Sequence, residues 1–136
     1  MKAVFADTFY WVALTNPDDS RFQDAHALGD VLAGTMILTN DEILTEFMTF
    51  FSADPWLRSR AAATVRSLLV DPEIRVIPQS RASFLAGLEL YAARPDKGYS
   101  LVDCISMQTM REEGLTDVLT NDRHFEQEGF RTLFRA

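Results

Sequence analysis

The chain is poor in the residue types that anchor several common protein classes. It has one cysteine, Cys104, so no internal disulfide forms and a small secreted disulfide scaffold is excluded. That usage fits a reducing, cytoplasmic setting. Nowhere do apolar residues run for the roughly 18 positions that a membrane span needs. The opening "MKAVFADTFYW" places Asp7 inside what would be the apolar region of a signal peptide, which argues against export. Histidine is scarce: His26 and His124 stand apart, and no cysteine pair supplies zinc-ligand spacing. Positive charge is scarce near the start. Residues 1–54 hold nine acids and two bases, whereas residues 55–136 hold eleven of each, so the net charge of −7 belongs to the N-terminal part. Phosphate contacts need positive charge, so such a chain is a poor non-specific nucleic-acid binder. Either metal ions mediate phosphate binding, or nucleic acid is not the partner.

What is present is ordinary globular material. An apolar content of 47% and a charged content of 24% match soluble domains, and 136 residues make one domain, read here as 1–136. "KAVFA" (2–6), "MILT" (36–39), "IRVIP" (74–78) and "DVLT" (117–120) read as strands, with a shorter one in "FRTLF" (130–134). Between them lie helical patterns. Ile43, Leu44, Phe47, Phe50 and Phe51 form an apolar stripe in "NDEILTEFMTFF" (40–51), capped by Asn40 or Asp41. Pro55 opens a helix running to about Leu69, Ser80 opens another, and Ser100 caps "LVDCISMQTMREE" before Gly114 ends it. Short strands alternating with longer helices predict an α/β fold of three layers, with a mostly parallel sheet of about five strands.

In such sheets ligands bind beyond the carboxyl ends of the strands. Asp7 follows the first strand directly, and Asp122 follows "DVLT" after Asn121. Asp103 lies in the first turn of the helix opened by Ser100, and Glu46 lies beside the apolar stripe of the helix after "MILT". Each has a bland rival. Asp7 and Asp122 could cap the helices that follow, Asp103 could serve the helix dipole, and Glu46 could pair with an arginine. Four converging carboxylates, by contrast, repel one another unless cations sit between them. Hard divalent ions such as Mg²⁺ or Mn²⁺ fit oxygen ligands, and they would bring a positive field to a phosphodiester.

The blocks "FADTFYWVAL", "NDEILTEFMTFF", "YSLVDCISMQTMREEG" and "DVLTNDRHFEQEGFRTL" together resemble the PIN-domain ribonucleases, specifically the VapC-type toxins of toxin–antitoxin pairs. The resemblance spans nearly the whole chain and implies a PIN-like α/β/α fold. It carries the family's four acidic positions onto Asp7, Glu46, Asp103 and Asp122. Thr8 and Thr120 match hydroxyl positions that support the acids, and Asn121 takes a minor supporting place. Asp7 and Asp103 are then the principal metal ligands, with Glu46 and Asp122 completing the shell, in part through water. The implied activity is Mg²⁺- or Mn²⁺-dependent endonucleolytic cleavage of RNA. The implied partners are an RNA substrate, a cognate antitoxin and a second copy of the chain in a homodimer or larger assembly, with no membrane.

Other readings share parts of this pattern. The same site could serve a PIN nuclease of RNA processing or one acting on DNA. A non-catalytic interaction module would keep the fold without needing all four acids. A phosphatase using Asp7 as nucleophile calls for a second Asp two residues on, where this chain has Phe9. Seven bases, Arg58, Arg60, Arg66, Arg75, Arg81, Arg94 and Lys97, are candidates for RNA-backbone contacts. Phe9, Tyr10, Trp11 and Trp56 are candidates for a dimer face or partner groove, with core packing the default for Phe9 and Trp11. Cys104 and His124 read as structural.

Overall fold

The β-branched and aromatic runs form strands, and the mixed stretches between them form helices. The computed structural model describes residues 3–134, so Lys2 of the expected first strand lies outside the described residues. The elements are β1 (Ala3–Ala6), α1 (Thr8–Thr15), α2 (Phe22–Val31), β2 (Met36–Asn40), α3 (Asp41–Phe50), α4 (Pro55–Val70), β3 (Ile74–Ile77), α5 (Arg81–Ala93), α6 (Leu101–Glu112), β4 (Asp117–Leu119), α7 (Arg123–Gln127) and β5 (Arg131–Thr132).

The five strands form one sheet in the order β3-β2-β1-β4-β5, and every neighbouring pair is parallel. The expected α/β fold of three layers is therefore present. Phe5 sits at the centre of the sheet, in register with Leu38 on one side and Val118 on the other. Val4, Phe5, Ala6, Val118 and Leu119 are completely buried. Continuous apolar runs of this kind belong to strands covered by helices on both faces. Helix α1 is buried through Tyr10, Trp11, Val12 and Ala13, which makes it a core helix and leaves neither Tyr10 nor Trp11 for a partner. Trp56, by contrast, is exposed.

Two features of the order position the site. From β1 the chain builds outward to β2 and β3, then returns to add β4 and β5 on the other side. The crevice at such a switch point, here between the ends of β1 and β4, is where an open α/β sheet accepts a ligand. Buried Asn40 then couples two helices. Its Oδ1 accepts from Ile43 N at 2.8 Å to cap α3, and its Nδ2 donates to Ser106 Oγ of α6 at 3.3 Å.

Candidate metal centre

Asp7 is the first residue beyond β1, at the N-cap position of α1, yet its side chain makes no capping hydrogen bond. Its Oδ2 instead accepts from Thr120 Oγ1 at 2.9 Å, just past the end of β4. The residue is only 6% exposed. Burial, reinforced by the nearby charge of Asp103, pushes its carboxyl up to about 7, although Thr120 and the Thr8 backbone amide pull the other way. A carboxylate built into a site that resists its own ionisation needs a positive partner to become charged.

Asp103 and Asp122 approach from two helix starts. Ser100 and Asp103 form a reciprocal capping box: Asp103 N donates to Ser100 Oγ at 3.0 Å, and Ser100 N donates to Asp103 Oδ2 at 3.2 Å. Asp122 caps α7 by accepting from His124 N at 2.9 Å. Thr120 Oγ1 also accepts from Asp122 N at 3.2 Å, so one hydroxyl joins Asp7 to the Asp122 turn. His124 Nδ1 lies 3.4 Å from Asp103 Oδ2 and 3.5 Å from Asp122 Oδ1. Burial, with the charge of Asp122, raises the Asp103 carboxyl above its ordinary value, against the Ser100 amide and His124.

Glu46 differs from its sequence expectation. It is exposed, as is Phe50 of the expected apolar stripe, because the buried face of α3 is Ile43, Leu44 and Phe47. Its carboxylate accepts a short 2.5 Å hydrogen bond from Thr8 Oγ1, which ties α3 to the start of α1. Its charge reaches Asp7 and adds to the upward shift there. Asn121 is exposed between Thr120 and Asp122. A groove of about 370 Å³, lined by Glu42, Thr45, Glu46, Thr49, Gln79 and Val102, runs from this edge. It adjoins a cleft of about 660 Å³ that reaches Ser80 and Arg81 at the start of α5.

The donor set fits a divalent cation. One ligand atom each from Asp103, Asp122 and His124 lies within 4.8 Å of the others. The charges of Asp103 and Glu46 both act on Asp7, so the carboxylates reinforce one another's need for a cation. Predominantly carboxylate donors suit hard ions.

A family model for the PIN domain matches residues 4–130. The chain belongs to the PIN domain family. The 23S rRNA-specific endonuclease VapC20 of Mycobacterium tuberculosis is 26% identical over 127 residues, which cover 93% of this PIN chain and 95% of that protein. The crystal structure of VapC20, described as a Sarcin-Ricin loop cleaving toxin, superposes with a TM-score of 0.81 over the same shares of the two chains. The fold is shared also with DNA-bound VapBC from Salmonella typhimurium, at TM-score 0.68, 15% identity and 97% of each chain. FitAcB from Neisseria gonorrhoeae gives 0.67, at 17% identity and 95% of each chain.

Sequence reasoning about this PIN domain read His124 as isolated and structural, whereas the fold sets its Nδ1 beside Asp103 and Asp122. The signal for that proximity was its place two residues after Asp122, in the first turn of α7. His26 is the structural one: its Nε2 lies 3.0 Å from the Leu14 carbonyl and its ring meets Phe22. The candidate RNA-contacting bases are partly committed elsewhere. Arg75 pairs with Glu113, Arg94 with Glu128, and Arg60 donates to the Thr15 carbonyl.

Proposed function

We propose that this chain, taken as one PIN domain, is a Mg²⁺- or Mn²⁺-dependent endoribonuclease of the cytoplasm, the toxin of a toxin–antitoxin pair. The carrying observation is the buried Asp7 carboxyl at the β1/β4 switch point, bonded to Thr120 and acted on by the charge of Asp103. Asp7 and Asp103 are the principal ligands in this reading, with Glu46, Asp122 and His124 completing or orienting the shell. A divalent ion held by these residues would supply water activation and positive charge for the phosphate. The chain's own residues prepare that step. Thr120 aims Asp7, the Ser100 capping box aims Asp103, the His124 amide aims Asp122, and Thr8 holds Glu46.

Support for RNA comes from the likeness to the 23S rRNA-specific VapC20, which extends along 93% of this chain. We take a structured ribosomal RNA loop as the first substrate class to test. The groove beside Glu46 offers an extended strand a path to the acids. The acidic N-terminal part suits a basic segment of an antitoxin, since complementary charge speeds encounter and fixes partners.

The deciding experiment incubates purified protein with ribosomal RNA, a synthetic sarcin–ricin loop RNA and the DNA of the same sequence. Each is run with Mg²⁺, with Mn²⁺ and with a chelator. RNA cleavage that needs the metal and disappears in Asp103→Asn is the expected result. No cleavage of any RNA, or cleavage that survives in Asp103→Asn, would sink the reading. Cleavage of the DNA alone would move the substrate class.

A further inference from the structure

Outside the acidic centre a further carboxylate side chain, that of Glu128, is buried. The Glu128 side chain is 5% exposed, at the C-terminal cap of α7. Its Oε2 accepts from Arg94 Nε at 2.8 Å and from Tyr99 Oη at 3.0 Å, and its Oε1 accepts from Arg111 Nη2 at 2.8 Å. Arg111 Nη2 also donates to the Glu128 backbone carbonyl at 3.3 Å. Burial opposes the charge, but the hydrogen bonds from Arg111, Arg94 and Tyr99 outweigh it and hold the carboxyl below its ordinary value. Tyr99 responds in the other direction, pushed up to about 12 by burial and by Glu128, so it remains a hydroxyl donor.

Stability alone is a weak account of this cluster, because buried ionic networks are often matched or exceeded by apolar packing of the same volume. Its connections are more informative. Arg94 closes α5, Tyr99 directly precedes the α6 cap Ser100, and Arg111 lies in the last turn of α6. The Tyr99 ring also packs against His124. Its ring centroid lies 5.2 Å from that of His124, with the planes tilted by 58°. Tyr99 thus reaches the acids by two routes, through its ring to His124 and through the chain to the Ser100–Asp103 capping box. Asp103 starts α6 and Asp122 starts α7, while Glu128 ties the far end of α7 to both ends of α6.

Resting on the nuclease reading above, we propose that Glu128 and Tyr99 are positioning residues that hold Asp103, Asp122 and His124 in metal-binding register. Groups behind the ligands of a metal typically change affinity or activity by about 10- to 100-fold when removed. Arg94 is thereby assigned to this clamp and away from the RNA backbone.

The test compares wild type with Tyr99→Leu, Tyr99→Phe and Glu128→Gln. Mn²⁺ affinity is read by titration calorimetry, kcat and KM on one cleaved RNA, and fold by circular dichroism. Leu68→Ala, in the core side of α4 and remote in role from the acids, controls for general destabilisation. Tyr99→Leu and Glu128→Gln are expected to lose about tenfold or more in Mn²⁺ affinity and in kcat, with KM little changed. Tyr99→Phe, which keeps the ring against His124, loses less. Leu68→Ala melts earlier but binds Mn²⁺ as wild type does. The proposal is overturned if folded Tyr99→Leu binds Mn²⁺ with wild-type affinity, or if Leu68→Ala loses as much. If Tyr99→Leu fails to fold, Glu128→Gln and Tyr99→Phe decide, and wild-type affinity in both overturns it. A wild type that takes up no Mn²⁺ and cuts no RNA is a different outcome, because it removes the nuclease reading itself.

Discussion

Thr120 Oγ1 donates to Asp7 Oδ2 at 2.9 Å across 113 positions of sequence. The hydroxyl is completely buried, and it stabilises the charged form of an acid that burial otherwise keeps neutral. Thr120→Val keeps the shape and removes the donor. Asp7 then rises further above about 7, and metal uptake moves to higher pH. A shift of roughly one pH unit is expected, the equivalent of one net hydrogen bond to a charged group. Mn²⁺ affinity measured against pH checks this, with Thr120→Ser restoring the wild-type curve. Superimposable curves for Thr120→Val and wild type would refute it.

Asp7 also makes stability depend on pH. Its carboxyl stands at about 7 in the folded protein against an ordinary 3.8, so between those values the folded state holds a proton that the unfolded state has lost. Stability from this group is therefore full at low pH, declines as pH rises from about 4 to about 7, and is then constant. Asp7→Asn removes the dependence. In metal-free buffer above pH 7 the variant should exceed wild type by up to about 4 kcal/mol. Mn²⁺ should close that gap by stabilising wild type alone. Chemical denaturation at pH 5 and pH 8, with and without Mn²⁺, reads both effects, and a variant less stable than wild type at pH 8 would contradict the account.

His124 separates ligand from bystander. Removing its imidazole from between Asp103 and Asp122 in His124→Ala should lower Mn²⁺ affinity by about tenfold. The backbone amide that Asp122 caps remains, so α7 itself should persist. Equal affinities in calorimetry would return His124 to the structural role that its sequence context suggested.

Gly87 tests the close approach of α5 to α6. A Cβ there would meet Ile105 Cγ1 at 2.3 Å and the Ile105 backbone at 3.1 Å. Gly87→Ala should destabilise by about 1–3 kcal/mol, the usual cost of overpacking. Because α6 carries Asp103, cleavage should fall by more than the unfolded fraction explains. Unchanged melting in a thermal scan would show that the helices part without cost.

The inner strands were legible because each holds a compact apolar run, and Phe5 or Val118 has nowhere to go but the middle of a covered sheet. The helix starts were legible too, since Asn40, Ser80 and Ser100 cap where their side-chain chemistry predicts. The exposure of Glu46 was not. Neighbours Ile43, Phe47 and Phe50 suggested a buried flank, but α3 turns Phe50 outward and Glu46 with it. The His124 contact and the Glu128 clamp were also hidden, because each joins residues from separate helices whose meeting depends on how α6 and α7 dock. Periodicity within one element carries no such information.

The strand order has a consequence for timing. Asp7 is made early, and its partner Thr120 directly follows β4, a strand made more than a hundred residues later. Until β4 slides in beside β1, the first acid has neither its hydrogen-bond donor nor the Asp122 turn for company. A half-synthesised chain consequently carries an incomplete site. For an enzyme proposed to cut RNA, the acids and their supporting hydroxyl come together only when the sheet closes around its first strand.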